Sequence, residues 1–186
     1  MDAHPSSPHA SEVEAVRRKI LERYEADRAT PDPPPTFDGG TETDRRQVLE
    51  LHHRFLAAND ALDGEALRRV WSDDPGCLFF NSNGHTYAGL EDWLAIWDHY
   101  RTRIRALRPY KPGSVRIVIR GDMALIAADR IARYFDWITT DPVPSLFEWP
   151  YVRHTQVCVR EAGAWKIIHA HFSMASPGPR PDQPGR

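Results

Sequence analysis

The chain has 186 residues and a formal net charge of −2. Apolar residues make up 41% of it and charged residues 27%, a composition typical of one soluble globular domain with enough length to bury a core. This nearly neutral charge gives no long-range attraction to nucleic acid or to an anionic membrane surface, so we expect neither as a partner.

Cysteine usage and the first residues bear on the cellular compartment. Cys77 and Cys158 lie in apolar, strand-like runs, which predicts small buried thiols in a reducing compartment. The opening Met-Asp-Ala-His-Pro has no basic region followed by an apolar stretch, so no signal peptide is predicted. No window approaches the roughly 18 apolar residues that a membrane helix needs. We therefore expect a cytoplasmic protein.

Both ends of the chain are predicted to lie outside the core domain, because ten of the sixteen prolines fall in the first 35 or the last ten residues. Residues 1–40 form an extension, with a short amphipathic helix over 11–27 followed by a Pro- and Gly-rich linker. Residues 41–175 form the domain, and 176–186 a disordered tail. The apolar face of the first helix must dock on its own domain or on a neighbouring subunit.

The domain is predicted to begin with helices. Thr41 or Thr43 can cap a helix with one apolar face, and Gly64 separates it from a short second helix over 65–71. A third helix is expected over about 90–107, where apolar residues recur at helical spacing.

Strands make up the rest of the predicted domain. A short buried strand is expected over 77–80, followed by a loop over 81–87. The strands 115–120 and 123–137 meet at Gly121-Asp122, and 152–160 meets 165–173 in the clearest hairpin of the chain. The 139–150 connection between these pairs contains three prolines and is expected to cover a rim.

Helices followed by long antiparallel strands favour an α+β fold. We predict a cone-shaped roll, in which a curved, mostly antiparallel sheet wraps around a long helix. The open mouth of such a cone is a common place for a ligand.

Three motifs show a resemblance to a known superfamily. Trp71-Ser-Asp-Asp74 precedes the first strand of the domain, and Tyr87-Ala-Gly89-Leu90 precedes the third helix. The last strand, Gly163-Ala-Trp165-Lys-Ile-Ile-His169-Ala-His171-Phe-Ser173, is the strongest of the three. Over about residues 41–175 the sequence resembles the nuclear transport factor 2-like superfamily, in particular its SnoaL-like members. The resemblance implies the cone-shaped α+β fold. It also implies several functions, since the superfamily includes isomerases, dehydratases, cyclases, lyases, transport factors and assembly hubs.

Within the superfamily, the sequence looks especially like the association domain of calcium/calmodulin-dependent protein kinase II. That hub lines a carboxylate-binding pocket with arginines, and the resemblance places Arg130 at one of them. Gln156 and Phe172 stand at the places of two others, and Trp93 stands at the place of a helix histidine. With one cation of three retained, a larger and more aromatic ligand is expected here.

His169 and His171 are two apart on a strand and therefore point to the same face. They can form a cavity pair in which one acts as a general base near neutral pH. With His154 on the adjacent strand they could also ligate a metal, but no Cys or carboxylate cluster supports this, so no metal is predicted. The structural alternative is that they form hydrogen bonds across the sheet or lie at a dimer face.

Asp129 and Arg130 are adjacent charged residues in the middle of a strand, where charges are uncommon unless they are paired or used. They are expected to point to opposite faces, so only one lines the cone. Arg130 would hold an anionic or carbonyl group. Asp129 would be a buried acid or base with a raised pKa, as in ketosteroid isomerase-like members of the superfamily. The alternative is an ion pair with an arginine of a neighbouring strand.

The remaining candidates are ligand contacts. His52 lies beside the apolar stripe of the first core helix, and we expect it at the rim or in solvent, where a ligand could reach it. Trp93, Trp97 and Tyr134 are candidate walls of an apolar pocket for a ring-bearing substrate. The hub resemblance implies that Gln156 and Phe172 point into the cone. Simple alternation would send Phe172 and the two histidines of the last strand to opposite faces, unless a bulge near Ala170 shifts the phase.

These patterns predict a cofactor-independent enzyme that acts by acid–base chemistry on a hydrophobic, aromatic or cyclic small molecule. The reaction would be a dehydration, isomerisation, cyclisation or lyase cleavage. The base would be His169, His171, His154 or Asp129, and Arg130, Gln156 or a tyrosine would stabilise the oxyanion. The alternative is a non-catalytic binding or assembly module. In either case we expect a homodimer or a higher homo-oligomer.

Overall fold

The structure is a computed structural model that describes residues 8–137, 151–175 and 182. Within these residues the helices and strands follow in the order α1 (Pro8–Arg28), β1 (Thr36–Gly39), α2 (Glu42–Ala61), α3 (Gly64–Val70), β2 (Leu78–Phe80), β3 (Thr86–Ala88), α4 (Gly89–Arg101), β4 (Ile104–Lys111), β5 (Ser114–Arg120), β6 (Met123–Trp137), β7 (Tyr151–Glu161) and β8 (Ala164–Met174). The strands form one curved, unclosed sheet in the order β1-β5-β6-β7-β8-β2-β3, and β4 pairs with the second half of β6. The predicted α+β fold is confirmed.

The helices begin where the sequence places their caps. The Thr41 hydroxyl accepts the Asp44 N–H, and the Asp44 carboxylate accepts the Thr41 N–H at 3.0 Å, which forms a capping box at the start of α2. The Asp63 carboxylate caps α3 by accepting the Ala66 N–H at 3.0 Å. The apolar face of α2 is fully buried against the sheet, so this helix forms one wall of the core.

Three segments differ from their sequence-based predictions. The third core helix ends at Arg101, and Ile104 begins β4, which pairs with β6; the helical spacing of two later apolar residues was coincidental. The predicted linker contains β1, which is parallel to β5. The predicted 81–87 loop ends in β3, which is antiparallel to β2. The β1 and β3 strands are short and lie at sheet edges, where pairing depends on distant partners and leaves little local pattern.

Two bulges shift which residues face the interior. The register between β6 and β7 shifts between Ala128 and Ile131, and Arg130 has a left-handed φ of 60°. Even-numbered residues of β6 are buried in the core before this bulge, whereas Ile131 and Arg133 face the interior after it. A second shift leaves Ile168 unpaired on β8, so that Ile167 and Ala170 are both buried. This bulge comes before His169 and not near Ala170, so Phe172 and the two histidines lie on opposite faces, as simple alternation gives.

The first helix docks on its own domain. The Asp27 carboxylate accepts hydrogen bonds from the hydroxyls of Tyr134 and Tyr151, each at 2.8 Å. Tyr24 packs edge-on against Tyr134, with ring centroids 5.1 Å apart. α1 therefore covers the outer face of the second half of β6. The predicted 139–150 rim and most of the 176–186 tail lie outside the described residues.

No described helix is long and apolar enough to cross a membrane. Cys77 and Cys158 are buried free thiols, as the sequence predicts.

Candidate active site

A cavity of about 80 Å³ lies between α2, α4 and the inner face of the sheet. Most of its floor is buried, except for the half-buried Phe172, and its mouth is half-buried. This volume is below the roughly 150 Å³ of a protein cavity that holds benzene, so a ligand ring must displace side chains at the mouth or extend through it. The lining residues are Phe55, Leu56, Asn59, Leu62, Asn81, Ser82, Trp93, Trp97, Tyr100, Ile104, Tyr110, Ile131, Arg133, Phe135, Val152, His154 and Phe172.

Aromatic rings form much of the cavity floor. Phe172 lies between Phe55 and Trp93, with centroid distances of 5.9 and 5.6 Å and interplanar angles of 23° and 19°. Trp97 of α4 also lines the cavity. These flat apolar faces can hold a ring by offset stacking, which aliphatic walls cannot do.

His154 is the titratable group of the floor. It stands on β7 with its ring edge-on to Phe172, at a centroid distance of 5.6 Å. His52 of α2 lies behind it, with the two imidazole centroids 5.0 Å apart. The Nδ1 of His52 donates to the Gln156 Oε1 over 3.3 Å. All three side chains are buried, and within the described part of the chain the Nε2 of each has no hydrogen-bond partner.

Burial determines the protonation state of these histidines. It lowers the pKa of His52 to about 4 and lowers the pKa of His154 well below the usual 6.5, because an imidazolium loses its hydration in this apolar setting. The neighbouring His52 lowers the pKa of His154 further. Both imidazoles are therefore neutral at physiological pH, and His154 can accept a proton.

The mouth of the cavity is polar. Arg133 of β6 lies there with Tyr100 of α4 and Tyr110 of β4. Burial raises the pKa of both tyrosines, and the Arg133 charge opposes this effect, so both hydroxyls remain protonated donors at neutral pH. Both Asp60 oxygens accept the backbone N–H of Tyr110, at 2.9 and 2.8 Å, and burial raises the pKa of Asp60 to about 6.

The structure brings six of the predicted site residues together. His154, Trp93, Trp97 and Phe172 line the cavity. Gln156 and His52 lie directly behind its floor, both fully buried. The rim or solvent position expected for His52 is wrong, because this side chain lies on the buried face of α2 and faces the sheet.

His169 and His171 share a face, as predicted, but it is the outer face of the sheet. The bulge at Ile168 turns Ala170 and Phe172 inward and both histidines outward. The Nδ1 of His169 donates to the Leu78 carbonyl oxygen over 2.7 Å and so links β8 to β2. His154 faces the opposite side, so the three histidines do not converge on a metal.

Asp129, Arg130 and Tyr134 also lie outside the cavity. The β6 bulge exposes Asp129 and Arg130 together, whereas plain alternation would place them on opposite faces. The Arg130 guanidinium stacks on the Tyr151 ring, 4.5 Å from its centroid. Tyr134 packs against α1 instead of the cavity.

Sequence reasoning missed the cavity residues Arg133, Tyr100, Tyr110 and Asn59. Asn59 follows His52 and Phe55 at helical spacing on α2, which is a usable signal. Arg133 could be predicted only from the position of the bulge in β6, which turns its side chain toward the cavity. Within the described residues, no group of three or more His, Cys, Asp or Glu side chains is placed to hold a metal ion.

Comparison with known proteins shows which family this chain belongs to. The family model described as SnoaL-like domain matches residues 48–177, which is most of the chain. The chain belongs to the SnoaL-like family. Its sequence matches none of the curated proteins.

Solved structures share the fold of this SnoaL-like domain. A nuclear transport factor 2-like protein of Cytophaga hutchinsonii is 20% identical, with a TM-score of 0.53 over 73% of this chain and all of that one. A putative calcium/calmodulin-dependent kinase II association domain of Exiguobacterium sibiricum is 15% identical, with a TM-score of 0.56 over 75% of this chain and 99% of that one. A protein with a cystatin-like fold from Caulobacter vibrioides is 18% identical, with a TM-score of 0.56 over 74% and 92%. At these identities the similarity shows the fold alone.

Proposed function

We propose that this SnoaL-like protein is a cofactor-independent enzyme that moves a proton on a hydrophobic, ring-bearing small molecule bound in the cavity. His154 is the proton acceptor, and the protonated Tyr100 or Tyr110 hydroxyl stabilises the oxyanion that forms. Such a site suits isomerisation, dehydration, cyclisation or lyase cleavage, in which a proton is removed next to a carbonyl group.

One observation carries this proposal: a neutral imidazole, His154, lines an aromatic cavity and has no hydrogen-bond partner for its Nε2 among the described residues. A buried polar nitrogen without a partner is costly in a purely structural role. Packing alone would favour an aliphatic side chain at this position. The neutral state supports base function, because an imidazolium could not accept a proton.

Proton exchange tests the proposal without knowledge of the substrate. The wild-type protein is incubated in D₂O with cyclic and aryl ketones, such as 2-tetralone, cyclohexenone and acetophenone. Mass spectrometry then measures deuterium gained next to the carbonyl. We expect exchange on at least one compound at a rate above that of equimolar free imidazole and of the heat-denatured protein. If no compound exchanges faster than it does in these controls, the proposed enzymatic activity is contradicted.

A second function, assembly through the outer face of the sheet, is favoured by an exposed apolar row. Leu125, Val157, His169 and Leu78 are register partners across β6, β7, β8 and β2. Leu78 is 44% exposed, and the neighbouring Phe80 is 39% exposed with its ring edge-on to His169. Large apolar side chains in a continuous exposed patch are characteristic of interaction surfaces. We propose that this row is the contact of a homodimer.

The dimer is tested by sedimentation velocity with the wild type and with Phe80→Glu. We expect wild-type protein to sediment with twice the chain mass and the variant with the mass of one chain, because a buried unpaired carboxylate costs several kcal/mol. Lys19→Glu is the control and should remain dimeric, because Lys19 is exposed on α1, which packs on the second half of β6 and not on the row. A wild-type monomer at tens of micromolar would contradict the assembly.

A further inference from the structure

We propose that the ligand of this cavity carries a carboxylate group, which Arg133 binds at the mouth while the ring of the ligand lies on the aromatic floor. The inference rests on the proposed function of the cavity and narrows its substrate to ring-bearing organic acids.

Arg133 reaches the cavity because of the bulge in β6. The shift between Ala128 and Ile131 gives Arg133 the phase of Ile131, whose side chain is fully buried on the inner face. The guanidinium is half-buried there, where it contacts the Tyr110 hydroxyl, and its Nη2 lies 3.5 Å from the Met174 Sδ. A thioether is a weak acceptor, and neither it nor a protonated tyrosine hydroxyl carries a charge.

Within the described residues, no carboxylate forms an ion pair with Arg133. Asp60, whose two oxygens accept the backbone N–H of Tyr110, forms no ion pair with this arginine either. A partly buried cation without a counter-charge is costly, and side chains that hold one are usually paired or functional. A ligand carboxylate would supply the missing charge.

The other groups at the mouth also favour an acceptor-rich ligand. Tyr100 and Tyr110 present neutral hydroxyls. The planar guanidinium binds a carboxylate through two parallel N–H donors, a geometry that a neutral amide cannot match with equal strength. Among the described residues, the mouth therefore combines the Arg133 cation with hydroxyl donors, and a carboxylate satisfies both.

Arg130 provides a matched control for Arg133. It lies three residues earlier on the same strand and carries the same charge, but it is exposed on the outer face over Tyr151. Arg130→Met and Arg133→Met therefore remove the same charge from the two sides of the bulge, and only the second removes it from the cavity.

The test measures the binding of three acids and of their primary amides by isothermal titration calorimetry. The acids are benzoate, phenylacetate and 3-phenylpropionate, which span the distances between floor and mouth. We expect at least one acid to bind wild type tenfold or more tightly than its amide, which is about 1.4 kcal/mol. Arg133→Met should remove this preference, Arg133→Lys should retain part of it, and Arg130→Met should leave it unchanged.

The outcomes separate this inference from the proposed function. The carboxylate inference is overturned if acid and amide bind equally in every pair, or if the preference for the acid survives in Arg133→Met. In both cases the cavity can still bind a ring. Failure of all six compounds to bind overturns the ligand cavity and the carboxylate together. If Arg133→Met does not fold, the test rests on two other measurements. These are the acid-over-amide preference of the wild type and its reduction in Arg133→Lys.

Discussion

Replacing His154 with glutamine is expected to lower turnover on any exchanging compound at least about a hundredfold, the usual loss when a general base is removed. Glutamine fills a similar volume and keeps polar atoms in the cavity, but it cannot accept a proton. The melting temperature should stay within a few degrees of wild type, because His154 gives up no described hydrogen bond from its Nε2.

His171→Gln is the matched control. His171 is exposed on the opposite face of the sheet, with its ring against Phe80, so its loss should leave turnover unchanged. Equal turnover in His154→Gln and wild type would exclude His154 as the base, and a matching loss in His171→Gln would point to the outer face instead.

The pH dependence provides a second readout of the same base. Because burial lowers the pKa of His154 well below 6.5, its base form persists as the pH falls through the range where an ordinary histidine titrates. An ordinary base with a pKa of 6.5 would lose about 90% of its active form by pH 5.5. We expect kcat/KM to change less than about twofold between pH 8 and 5.5. Asp60, with a pKa near 6, titrates in this range, so the profile is also measured in Asp60→Asn. A tenfold fall in both proteins would contradict a buried neutral His154.

Gly113→Ala is expected to destabilise the protein by about 3 kcal/mol, because it forces a side chain into the bulge that orients Arg133. A Cβ at Gly113 would lie 1.8 Å from the Asp129 carbonyl oxygen and 2.7 Å from the Arg130 carbonyl carbon, both backbone atoms that cannot turn aside. For a domain of this size the melting temperature should fall by about 6 to 12 °C. Any folded protein should also lose its preference for acids over amides, since the bulge sets the phase of Arg133.

The control for this substitution is Gly84→Ala. Gly84 has a φ of +85°, and a methyl group at this position would have no neighbouring atom within 4 Å, so alanine there meets only backbone strain of about 1 kcal/mol. A Gly113→Ala protein as stable as wild type, or no less stable than Gly84→Ala, would show that the bulge tolerates displacement.

The sequence predicts the helices and hairpins well because their signals are local. Thr41 caps α2, Gly64 begins α3, and Gly121-Asp122 turns β5 into β6, as short-range patterns indicate. The β1 and β3 strands were missed because they pair with residues far along the chain. The same holds for the end of α4, where pairing with β6 overrides helical spacing from Ile104 onward.

The candidate site was harder to predict because two bulges determine which side chains face the cavity. Alternation along a strand assigns faces correctly only while the register is unbroken. Beyond Ala128 the alternation is reversed, so the strand presents Arg133 to the cavity and leaves Arg130 outside. On β8 the bulge at Ile168 selects Phe172 over His171. His154 could be identified because β7 keeps its alternation from Val152 to Cys158, with all four even-numbered side chains buried.

A crystal structure of the protein with an exchanging ketone or a tight-binding acid tests the central claim most directly. We expect the ring against Phe172 and Trp93, and the exchanging carbon within about 3.5 Å of the His154 Nε2. A ligand bound on the outer face near His169 and His171, or held in the cavity with its reactive carbon out of reach of His154, would contradict the claim.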